Sequence, residues 1–137
     1  EVERAEQWLQ RMVKDGLTPD VVSYNSMLNA CAHKGEVDRA ELWLQRMVKD
    51  GLKPNVVGYS SMIAACAQKG DVERAEQWLQ RMVKDGLTPD VVSYSSMLNA
   101  CAHKGEVDRA ELWLQRMVKD GLKPNVVGYS SMLDAWA

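Results

Sequence analysis

The sequence predicts an all-α fold, an α-solenoid built from 35-residue helix-turn-helix repeats. Three observations predict it. Trp8, Trp43, Trp78 and Trp113 stand 35 residues apart, as do Tyr24, Tyr59, Tyr94 and Tyr129, and Pro19, Pro54, Pro89 and Pro124, with no insertion among them. Within each interval two apolar stripes at helical spacing are separated by glycine. Finally, a pair of helices of about 12–15 residues cannot bury both stripes alone, so neighbouring units must stack.

Begun at the paired valines, the chain holds three full units in one domain spanning 1–137: 21–55, 56–90 and 91–125. Residues 1–20 are the back part of an earlier unit and 126–137 the front part of a later one. In 1–20 the stripe is Val2, Ala5, Trp8, Leu9 and Met12, a second helix closed by Gly16. In the first full unit Tyr24, Met27, Leu28 and Cys31 form the stripe of a first helix. Asp20, or Ser23 three residues on, can cap its start, and Gly35 ends it. Val37, Ala40, Trp43, Leu44 and Met47 then form the stripe of a second helix, ended by Gly51. Pro54 prevents that helix from running on. The tryptophans and methionines read as core filling. The same reading holds for the later units, because residues 1–62 and 71–132 differ only at Glu1/Asp71 and Asn25/Ser95. Such near-identity points to very recent duplication or to a designed, consensus-like array.

Composition narrows the function. With 46% apolar and 26% charged residues the chain is ordinary globular protein, not a disordered or collagen-like one. No apolar stretch approaches the roughly 20 residues of a membrane helix, and no charged-then-apolar segment opens the chain. The net charge of −2 excludes a nucleic-acid binder that works by bulk charge alone.

The face opposite the core stripe carries the functional information. Val22, Asn25, Asn29 and His33 share one face of the first helix, as do Val57, Ser60, Ala64, Gln68 and Val92, Ser95, Asn99, His103. A merely solvated face would carry Lys and Glu, as the second helix does with Glu36, Asp38, Arg39, Glu41 and Arg46. Instead the row is uncharged and headed each time by an exposed valine, Val127 included, which solubility alone would replace. An apolar ledge beside a hydrogen-bonding side chain, repeated per unit, suits a ladder of flat, polar-edged ligands such as nucleobases.

Other chemistry finds no footing. Cys31, Cys66 and Cys101 lie on the core stripe without any Cys-x-x-Cys pattern, so no metal site is expected. Equivalent helices about 8–10 Å apart hold them beyond the roughly 7 Å reach of a disulfide. His33 and His103 have no nucleophile at triad-like placement, and no catalytic residue or cofactor is assigned.

The unit resembles the pentatricopeptide repeat, the 35-residue helical hairpin of organelle RNA-binding proteins. The resemblance rests on the Val21-Val22-x-Tyr24 opening, the Lys34-Gly35 turn, Ala40, Met47 and the Gly51-Leu52-x-Pro54-Asn55 ending, and it covers the whole chain. The tetratricopeptide repeat differs in its 34-residue period and its Trp-Leu-Gly-Tyr pattern. What the resemblance implies is a right-handed superhelix that binds single-stranded RNA along the first helices of its concave face, one base per unit. It implies no enzyme; the zinc deaminase of some plant relatives has a His-x-Glu and Pro-Cys-x-x-Cys signature that does not occur here.

The family reads each base through the fifth and last residues of a unit, and sandwiches it with the second. Carried over, the pairs are Asn25 with Asn55, Ser60 with Asp90, and Ser95 with Asn125, with Val22, Val57, Val92 and Val127 as sandwiching residues. The family's code then gives 5′-C-G-A. Ser130 opens a further pair and favours a purine, and Asp20 closes one whose opener is missing. Phosphate contacts fall to Lys34, Lys69 and Lys104, one residue beyond the family's lysine and turned from it by about 100°. Family members are mostly mitochondrial or plastid. The alternatives from other classes are a peptide- or protein-binding scaffold and a structural array without a tight ligand; a peptide binder would want a Lys/Arg clamp on the first helices, which is absent. The apolar stripes at both termini, Tyr129, Met132, Leu133 and Trp136 against Val2, Ala5, Trp8, Leu9 and Met12, lead to an expectation of end-to-end self-association.

Overall fold

The computed structural model describes residues 2–123, together with 130 and 133. Seven helices are delimited among the described residues: α1 (Val2–Lys14), α2 (Val21–His33), α3 (Val37–Lys49), α4 (Val56–Gln68), α5 (Val72–Lys84), α6 (Val91–His103) and α7 (Val107–Lys119). Each is 13 residues long, as the spacing of caps and glycines dictates.

The starts of the first helices are set by side-chain caps. Asp20 Oδ1 accepts the Ser23 N–H at 2.9 Å, and Ser23 Oγ accepts the Asp20 N–H in return, so both residues named from sequence act together as one capping box. Asn55 caps α4 through the Gly58 N–H, and Asp90 caps α6 through the Ser93 N–H. The ends follow from Gly35 and its equivalents. At φ +64° Gly35 lets its own N–H reach the Ala32 carbonyl while the Glu36 N–H reaches back to Cys31, which satisfies carbonyls the helix leaves open.

The helices form two layers. α2, α4 and α6 pack side by side in one, and α1, α3, α5 and α7 form the other, each first helix touching the second helices before and after it. Tyr24, Met27, Leu28 and Cys31 of α2 are buried between the layers, as are Val37, Ala40, Leu44 and Met47 of α3. The core is one band, with Trp78 packed against both of its halves. Cys31, Cys66 and Cys101 are free and buried, and burial pushes their thiols up to about 11, 12 and 11.

The tryptophans depart from the expectation of plain core filling. Trp43, Trp78 and Trp113 are half-buried, tilted against Tyr24, Tyr59 and Tyr94 with ring centroids 6.2–6.5 Å apart. Their indole N–H groups donate to Glu6, Glu41 and Glu76 of the preceding second helix. Trp8 is 70% exposed. The reason is chemical: an indole carries one donor, and the seam between second helices offers a carboxylate partner where the apolar core offers none. Arg39 joins the same seam, reaching Glu3 and Glu6 at 2.9 Å, and its guanidinium holds Glu3 below the usual carboxylate range. Arg74 and Arg109 repeat the contact with Asp38 and Glu41, and with Glu73 and Glu76.

Candidate nucleic-acid interface

The uncharged row lies on the outer side of the first-helix layer. Val22, Val57 and Val92 are 70%, 56% and 58% exposed, a ledge of branched side chains that the core does not use. Between the first helices runs a groove of about 570 Å³, lined by Asn29 and His33 of α2, Val57, Ser60, Ala64 and Gln68 of α4, and Val92 with Asp90 at the start of α6. Gln68 closes its far end by donating Nε2–H to the His33 carbonyl at 3.1 Å. Valines from two successive units therefore face one groove, with polar side chains between them.

The paired residues meet where the helices touch. Asn25 donates from Nδ2 to Asn55 Oδ1 at 3.2 Å, across 30 residues of chain. Ser60 Oγ lies 3.3 Å from Asp90 Oδ1, again 30 residues away. Turn chemistry brings them together, because the last residue of a unit caps the next first helix and so stands beside the fifth residue of its own. Asn55 and Asp90 thus cap the following helix and touch the fifth residue of their own unit at the same time. Asp20 is exposed, with its carboxyl kept below the ordinary range by the Ser23 N–H and then the Ser23 hydroxyl. Ser95 is half-buried, while its partner Asn125 and the ledge residue Val127 lie outside the described residues; Ser130 is exposed.

The row is less uniform than the helical wheel suggests. Asn25 and Ser95 are half-buried and Ser60 is buried, because the fifth position faces the neighbouring first helix and not open solvent. Ser93, unremarked in the sequence, is fully buried and touches both members of the Ser60/Asp90 pair. A signal for it did exist: Asp20 is followed three residues on by Ser23 and Asp90 by Ser93, but Asn55 by Gly58.

Lys34, Lys69 and Lys104 are exposed residues at the ends of α2, α4 and α6. Lys69 turns along the edge of the layer, with Cε 3.4 Å from where a Cβ on Gly35 would stand. It lines a separate cleft with Asp38, Arg39, Asp71 and Arg74, beside the turns. The base-sized groove itself is lined by no Lys or Arg among the described residues.

Sequence comparison decides the family. The pentatricopeptide repeat domain model matches residues 7–69 and 42–104, and the PPR repeat family model matches 89–137. The chain belongs to the pentatricopeptide repeat family. Among solved structures the pentatricopeptide repeat protein PPR10 in complex with an 18-nt psaJ RNA element is 28% identical, with a TM-score of 0.89 over 98% of this chain. PPR10 from maize superimposes with a TM-score of 0.83 at 28% identity. The chain spans about a fifth of the length of these PPR10 chains, 20% and 19% respectively. The PPR domain of Arabidopsis thaliana protein-only RNase P 1, in complex with tRNA, shares the fold at 22% identity and a TM-score of 0.84, with 98% of this chain and 71% of that one covered. No curated protein matches the chain by sequence.

Proposed function

We propose that this pentatricopeptide repeat chain is a non-enzymatic, sequence-selective binder of single-stranded RNA, one base per unit over 21–55, 56–90 and 91–125. The observation that carries the proposal is the meeting of Asn25 with Asn55 and of Ser60 with Asp90 directly beside the exposed valine ledge. A base slid between two valines would present its polar edge to such a pair, and the valines would cover its apolar faces. The PPR10 structure with bound RNA supports the same direction. Under the family's code the chain reads 5′-C-G-A, followed by a purine at Ser130.

The chemistry of the pairs agrees with that reading. An Asn pair offers donor and acceptor to a pyrimidine edge; a carboxylate accepts only and selects a base edge that presents N–H groups. The short Ser60 leaves the space a purine needs. A groove without lysine or arginine leaves affinity to the bases, so binding is expected to fall only gently with salt.

Binding of short RNAs differing at one base tests this. C-G-A cores are expected to bind more tightly than cores changed at any one of the three places. Asn25→Ser should move the first choice from cytosine towards adenine, since it copies the Ser95/Asn125 pair. Equal binding of C-G-A and A-G-A cores by the parent chain, or an Asn25→Ser variant with the parent's ratio, would remove the assignment.

A further inference from the structure

At the two junctions where both members are described, the pair of fifth and last residues has a third neighbour, supplied by the next unit. Ser93, the third residue of 91–125, is fully buried and donates from Oγ to Asp90 Oδ1 at 2.9 Å. The same Ser93 oxygen lies 2.7 Å from Ser60 Oγ. A hydroxyl has one proton. With the Ser93 proton given to the carboxylate, the Ser60 proton goes to Ser93 at 2.7 Å in preference to Asp90 Oδ1 at 3.3 Å, and either way Ser60 turns only lone pairs to the groove. Asp90 accepts as well. The pair then offers acceptors alone, and guanine meets it with two adjacent donors, N1–H and the 2-amino group. Adenine presents an amino donor beside an N1 acceptor and meets one lone pair with another.

At the preceding junction the third residue is Gly58, and its lack of a side chain matters. A Cβ there would stand 3.1 Å from Asn25 Oδ1, closer than such atoms normally come. That oxygen is buried and has no hydrogen-bond partner among the described residues, so Asn25 rests against Gly58 while its Nδ2 donates to Asn55. The long fifth residue needs a glycine in the next unit; the short Ser60 is compatible with a serine. The chain keeps this coupling at both junctions where the contacts are described: Asn25 and Asn55 with Gly58, Ser60 and Asp90 with Ser93.

We propose that the third residue of the following unit belongs to the base-reading set: Ser93 locks the Ser60 hydroxyl as an acceptor, and Gly58 clears the space in which Asn25 is held. Both are positioning residues, acting through the pair and not on the base. The inference rests on the RNA reading above.

The test is equilibrium binding of the full 137-residue chain to RNAs that vary one base at a time, with melting curves alongside. Ser93→Ala leaves the Ser60 proton only the longer 3.3 Å contact with Asp90 Oδ1, from which it can rotate towards adenine N1. It should cut the guanine-over-adenine ratio at the second base roughly fivefold, the worth of one hydrogen bond, with the cytosine preference at the first base unchanged. Gly58→Ser should weaken the cytosine preference at the first base by a similar factor and leave the second untouched. Adding Asn25→Ser to it should restore parent-level affinity, now for the A-G-A core that a serine at this place prefers. If Gly58→Ser does not fold, Ser93→Ala and the Asn25→Ser/Gly58→Ser double variant decide the matter. Should the parent discriminate bases as expected while Ser93→Ala weakens all RNAs equally, or both junctions keep the parent's ratios, the third residue is only a helix cap and the inference falls alone. A parent chain with no single-base preference would overturn the RNA reading, and the inference with it.

Discussion

At the residue scale, the valine ledge separates binding from folding most cleanly. Val57 and Val92 are more than half exposed, so their side chains contribute little to the core. Replacing either with Asp should change stability by no more than about 0.5 kcal/mol. The same change sets a carboxylate beside a bound base and its phosphate, and binding should fall roughly tenfold, equivalent to about 1.4 kcal/mol, for every RNA sequence alike. Melting curves and titrations of two unrelated RNAs check it. A collapse in melting temperature would mark these valines as core, and a sequence-dependent loss would mark them as readers of base identity.

At the scale of elements, the tyrosines tie each helical pair together. Tyr24, Tyr59 and Tyr94 donate their hydroxyls to Asp50, Asp85 and Asp120, the residues just past the ends of α3, α5 and α7. Burial first, and then the hydrogen bond and charge of Asp50 or Asp85, push the Tyr24 and Tyr59 phenols from 10 up to about 12; Tyr94 moves the same way. The sign follows directly. Above the ordinary phenol value the unfolded chain has released protons that the native chain still holds, so the native state binds more protons and stability falls as pH rises from 10 to about 12. Urea unfolding midpoints should therefore be flat below about pH 8, begin to fall as the thiols of the unfolded chain ionise, and drop further through this window. Phenolate absorbance should rise together with the loss of helix, and Tyr59→Phe should make the drop shallower. Tyrosines that ionise near 10 in a chain still fully helical would contradict the buried pairing.

At the scale of the whole molecule, the seam of second helices sets how units join. Arg39, Arg74 and Arg109 each reach two carboxylates of the preceding second helix, and each neighbouring tryptophan donates to one of them. Trp8 is exposed and meets no such glutamate among the described residues, whereas Glu111 occupies the corresponding place on α7. The first and last of the described second helices thus carry complementary groups, an arginine and tryptophan (Arg4, Trp8) against acids (Asp108, Glu111). We expect the 137-residue chain to associate end to end as concentration rises. Of the tail stripe, Leu133 is exposed, and Tyr129, Met132 and Trp136 lie outside the described residues. Sedimentation over a hundredfold range of concentration should show a rising mean mass, abolished by Trp8→Lys; a constant monomer mass would refute the association.

What the sequence determined by itself is whatever repeats along it. Period, caps, glycine stops and apolar stripes are local properties of a chain, and four copies of Tyr, Trp and Pro at one spacing leave little choice of architecture. The helix starts at Val21, Val56 and Val91 follow from Asp20, Asn55 and Asp90, all readable without coordinates. The tertiary structure decided what a side chain meets across a junction. That Trp43 finds Glu6, that Lys69 runs along Gly35 and does not line the groove between the first helices, and that Ser93 meets the Ser60 hydroxyl all depend on how successive helices are rotated against each other. A helical wheel gives the face of a residue on its own helix. It carries no information on the neighbour's rotation, which is set only when both apolar stripes are packed at once.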